Sequence, residues 1–65
     1  MISYHEAQAL KYIDKQRGKA TEKRIRDNVT DGDLILARML EIGTVEVRGD
    51  FVQLTELGRA QISAG

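Results

Sequence analysis

Sixty-five residues make one domain spanning residues 1–65, near the lower limit for a chain that folds alone, where only about 60% of the unfolded surface is hidden. Ten basic side chains balance ten acidic ones, and the absence of cysteine excludes a disulfide or thiolate metal site as a supplement to the core. The longest apolar run, Leu34 to Ala37, is far too short to cross a membrane. No basic region precedes an apolar stretch at the N-terminus, so a cytoplasmic protein without a secretory signal is expected.

The balanced charge hides a local asymmetry. Residues 11–26 carry Lys11, Lys15, Arg17, Lys19, Lys23, Arg24 and Arg26 against Asp14 and Glu22, seven minus two, a net of +5. Residues 27–65 carry three basic against seven acidic side chains, a net of −4, and Glu6 restores neutrality. A basic stretch attracts phosphate even when the whole chain is neutral. A solvated helix face is the plainer explanation of such a run.

Ser3-x-x-Glu6 has the spacing of a capping box and predicts a helix from Tyr4. Ala7, Leu10 and Ile13 continue it at helical spacing, with Tyr4 extending that face, and Gly18 stops it. Thr21 can cap a short second helix through about Asn28, anchored by Ile25 and Val29. Thr30-x-x-Asp33 repeats the capping logic, and the third helix runs to Ile42 before Gly43. Its predicted core face is Ile35, Leu36, Met39 and Ile42; Asp33, Leu34, Ala37, Arg38 and Glu41 fall on the opposite side.

The apolar period then drops to two. Val45 and Val47 flank Glu46, and Val52 and Leu54 flank Gln53, with Arg48, Gly49 and Asp50 between them. Gly49 can supply a positive φ and Asp50 tolerates one, so the segment predicts a hairpin turn. Thr55 then caps a last helix holding Leu57, Ala60 and Ile62. A lone hairpin is marginal in water, so this one must close over the first and third helices.

The expected fold is mainly α with a small antiparallel β-hairpin, in the order helix, helix, helix, hairpin, helix. Within it, "MLEIGTVEVRGDFVQLTELGRA" resembles winged helix-turn-helix regulators of the MarR and PadR kind. Such proteins run from Leu-Glu-x-x-Gly at a helix end, through the wing, to Leu-Thr-x-x-Gly-Arg. The match is close over Leu36 to Ala60 and covers the first two helices by pattern alone. An Arg-Gly-Asp triplet would suggest cell adhesion on a secreted protein; here the resemblance makes it the wing tip.

Catalysis is not expected. His5 is the single histidine, and in "HEAQA" Ala9 stands where a zinc protease needs its second His. No base pairs with Ser3 or Ser63, and no glycine-rich phosphate cradle occurs, so neither metal nor cofactor is expected.

The resemblance implies duplex DNA as partner and a regulator or accessory factor of transcription or recombination. It makes the third helix the recognition helix and sets Leu34, Ala37 and Arg38 toward the major groove. Arg48 at the wing tip suits a minor groove, and Lys19, Thr21, Lys23 and Arg24 would face phosphates. Only Arg38 on that helix is a good partner for guanine or phosphate. Leu34, Ala37 and Leu40 form a second apolar stripe, and a helix apolar on two sides has two partners. The alternative is therefore a protein–protein module, a homodimer or adaptor, using that stripe.

Overall fold

A computed structural model describes residues 4–64. Its described residues form α1 (Tyr4–Lys15), α2 (Glu22–Asn28), α3 (Gly32–Ile42), β1 (Val45–Arg48), β2 (Phe51–Leu54) and α4 (Glu56–Ala64). Four helices and one two-stranded antiparallel hairpin give a mainly helical domain. The expected order of elements holds throughout.

α1 begins at the predicted residue, although Ser3 of the capping pair lies outside the described residues. Its core face is rotated from the predicted one: Ala9, Leu10 and Ile13 are buried, while Tyr4 is 72% exposed. Glu6 lies on the same buried side as Ala9, Leu10 and Ile13 and contacts Arg38 of α3. Tyr4 instead accepts a hydrogen bond from Gln8 Nε2 at 2.8 Å and lies edge-on to His5. The helix stops at Lys15, and left-handed backbone begins at Arg17 (φ 54°), one residue before Gly18 (φ 84°).

α2 starts as expected. Thr21 is extended (φ −110°, ψ 159°), and its hydroxyl accepts from the Arg24 N–H at 3.2 Å. Ile25 and Val29 are buried beneath the helix. α3 departs from expectation at both ends. Its N-cap is Asp31 in the left-handed region (φ 55°) with no side-chain cap bond, so Thr30 does not cap it. Leu36 and Met39 face the core with Ile35 half-buried, but Ile42 is 46% exposed. Gly43 ends the helix with φ 92°, its N–H returning to the Met39 carbonyl.

The hairpin pairs Val45 with Leu54, Glu46 with Gln53, Val47 with Val52 and Arg48 with Phe51. Gly49 and Asp50 form the two-residue turn. Gly49 alone takes positive φ (62°), which is the type II′ pattern, and Asp50 does not need the left-handed conformation. Val45, Val52 and Leu54 join the core against α1 and α3. The segment before α2 adds an isolated antiparallel bridge, Ala20 to Val52, in which the Val52 N–H donates to the Ala20 carbonyl at 2.8 Å.

The Leu-Thr-x-x-Gly run has a clear physical role. Leu54 is buried, and the Thr55 hydroxyl donates to the Gly43 carbonyl at 2.6 Å while accepting from the Gly58 N–H at 3.2 Å. The Thr55 N–H donates to the Thr44 carbonyl. A Cβ at Gly58 would strike that same carbonyl oxygen, so the start of α4 sits against the end of α3 only because this residue is glycine. α4 rests on α1 and β2, with Ile62 against the core and Leu57 and Ala60 exposed.

Candidate nucleic-acid interface

The residues expected to touch DNA fall on two separate regions. Leu34, Ala37 and Arg38 lie along the exposed side of α3, with Asp31 and Glu41 in the same shallow depression. Leu34 is 73% exposed and has no packing role. Arg38 is committed elsewhere: its Nε lies 2.6 Å from Oε1 of buried Glu6 and ties α3 to α1. Arg26 of α2 is similarly engaged with Asp33 at 3.5 Å.

Between α2, α3 and the hairpin runs a groove floored by Leu36, Ala37, Leu40, Val47 and Val52. Glu22, Asp33 and Asp50 stand around it, with Arg26 as its cation. Val47 faces inward with Val45 in the strand's alternation yet is 57% exposed, because the hairpin projects beyond the core there. The predicted second stripe, Leu34, Ala37 and Leu40, is exposed as expected, and Val47 extends the apolar surface.

Lys19, Lys23 and Arg24 are exposed around the start of α2. Thr21 is half-buried, with its hydroxyl oxygen taken by the helix cap, so its first role is structural. Arg48 ends β1, and its Nε bonds Glu46 Oε1 at 3.0 Å, two residues back on the same side of the strand. The Ala20–Val52 bridge joins these two groups by setting the segment that carries Lys19 and Thr21 beside β2.

Phe51, Arg17, Gln53 and Arg59 also belong to this region. Phe51 lies directly across from Arg48 and is 40% exposed. A two-residue turn at Gly49 and Asp50 fixes that pairing, so Phe51 was readable from the hairpin register. Arg17 and Arg59 come together with Asp14, Gly18 and Gln53 around a second groove, between the end of α1, β2 and α4. That juxtaposition depends on the bridge at Ala20, which no local pattern announces.

Among the described residues no group of three or more His, Cys, Asp or Glu side chains could hold a metal ion. No described helix is long and apolar enough to cross a membrane. Compared with protein-family models, curated proteins and solved structures, the chain matches none.

Proposed function

We propose that the chain is a winged helix-turn-helix domain that binds duplex DNA, as a cytoplasmic regulator or accessory factor of transcription or recombination without catalytic activity. The order of elements supports this reading, with β1 and β2 as the wing and Ala20 as the short strand preceding α2. The observation that carries it is the Ala20–Val52 bridge. It joins the start of α2 to the wing, so that Lys19 and Arg48 belong to one continuous surface beside Lys23 and Arg24. Cations so gathered neutralise phosphates and release counterions, which supplies affinity without base readout.

The test is fluorescence anisotropy with random-sequence duplex DNA at two salt concentrations. Binding that weakens as salt rises supports the reading; no binding at low salt rejects it.

A specific observation favours a second reading, a protein-interaction module. Leu34, Leu40 and Val47 are exposed, and the groove beside them carries three carboxylates against one guanidinium. That surface suits an apolar partner better than a phosphate backbone. Light scattering on the wild type and on Leu34→Lys separates the two, since a partner contact through Leu34 would not tolerate a lysine.

A further inference from the structure

The cations are divided unequally between the two sides of the hairpin. On the side of α3 and its groove, Arg26 and Arg38 stand against Glu22, Asp31, Asp33, Glu41 and Asp50, with buried Glu6 beneath. Both arginines are already in ion pairs, with Asp33 and with Glu6. The outward side of β2 has the opposite balance. Pleating puts Arg48 and Phe51 on that side in one row and Glu46 and Gln53 in the next. The antiparallel bridge at Ala20 extends each row, with Thr21 alongside Phe51 and Lys19 alongside Gln53. Gln53 Nε2 donates to the Gly18 carbonyl at 3.4 Å, which holds the two segments together. Beyond Gln53 the groove of Asp14, Arg17 and Arg59 continues the same face. Among the described residues of this groove and these two rows, Arg17, Lys19, Arg48 and Arg59 thus stand with Asp14 and Glu46, four cations against two carboxylates.

We infer that duplex DNA lies along this outward face of β2, with Arg17, Lys19, Arg48 and Arg59 on phosphates, while α3 stays out of the major groove. This rests on the DNA-binding reading above and changes which surface does the binding. A phosphate strand against α3 would meet five carboxylates and two arginines that already have partners. Along β2 it meets a surplus of cations: Arg48 is paired with Glu46 though its side chain is 70% exposed, while Arg17, Lys19 and Arg59 have no ion pair among the described residues. Phe51 then stands at the minor groove, where an apolar ring beside an arginine can wedge against a base step. Binding of this kind is set by backbone charge and duplex shape rather than by base edges.

The test compares three proteins on random-sequence duplex DNA across a salt series. The track variant is Arg17→Asn, Lys19→Gln, Arg59→Gln; asparagine suits the left-handed φ of residue 17. The α3 variant is Leu34→Glu, which sets a carboxylate where a major groove would have to close. All four positions are exposed, so thermal unfolding should match wild type and shows that each protein is folded. The expected result is a slope of log affinity against log salt smaller by about 2.7 in the track variant, about 0.9 for each of three lost phosphate contacts. Leu34→Glu should bind as wild type does. A track variant with an unchanged slope, together with loss of binding in Leu34→Glu, overturns the inference and leaves DNA binding standing. Wild type that does not bind duplex overturns both. As a second readout, Phe51→Trp introduces the only tryptophan in the chain. Quenching of its emission by duplex supports the face assignment, and unchanged emission at saturation contradicts it.

Discussion

Two residues show how closely the ends of the helices are fitted. At Gly58 a methyl group would meet the Thr44 carbonyl, a backbone atom that cannot rotate away. Gly58→Ala should therefore destabilise the domain by about 1–3 kcal/mol, the usual range for overpacking, despite alanine's better helix propensity. Chemical denaturation checks this, and an unchanged midpoint would mean that α4 can shift freely. Arg38 is the second. Its contact with buried Glu6 gives it a structural task, and hydrogen bonds to charged groups contribute about 1.5–3 kcal/mol. Because the Arg38 side chain is largely exposed, Arg38→Gln should cost no more than the lower part of that range. A direct DNA-reading role predicts the reverse pattern, full stability with lost affinity, so thermal unfolding and anisotropy on one variant separate the two roles.

At the scale of elements, the turn and the α3–α4 junction are the most exacting. Gly49 has φ 62°, and a β-branched residue there adopts a conformation costing roughly 1–2 kcal/mol. Gly49→Val should lower stability by about that amount, while Asp50→Glu, at an exposed position without positive φ, should leave it unchanged. Adhesion through Arg-Gly-Asp would instead show in binding, with Asp50→Glu losing recognition at unchanged stability. Thr55→Ala removes a helix cap and the bond to the Gly43 carbonyl, and should cost about 1–2 kcal/mol in denaturant. These elements were largely legible in the sequence, because capping threonines, Gly43 and the change of period are local signals. The capping motif failed at Thr30, since the α2–α3 link reverses through a left-handed Asp31 instead. Helix faces were less legible: Tyr4 and Ile42 look like core residues by spacing, but each stands at an end of its helix and is exposed. The candidate interface was half legible. The basic residues near α2 and Arg48 were identifiable one by one, but Arg17 and Arg59 join them only through the non-local contacts of β2.

Over the whole molecule, two surfaces differ in chemical character. The α3 side is apolar and acid-rimmed; the outward side of β2 is basic and carries an exposed aromatic ring. A neutral total charge is what such a division produces, and it makes bulk charge a poor guide to the partner. Leu34→Lys probes the first surface. Leu34 has no core contact to lose, so the monomer should keep its stability. Any oligomer built on α3 should dissociate, because lysine there must enter an apolar contact or escape to water. The central claim, that this domain binds duplex DNA through phosphates, is tested most directly by the wild-type affinity for random duplex across a salt series. Contacts from the four cations of the β2 face predict a slope near −3.6, about −0.9 per phosphate. No measurable binding at low salt, beside an oligomer that Leu34→Lys abolishes, would contradict the claim and make the α3 surface the functional one.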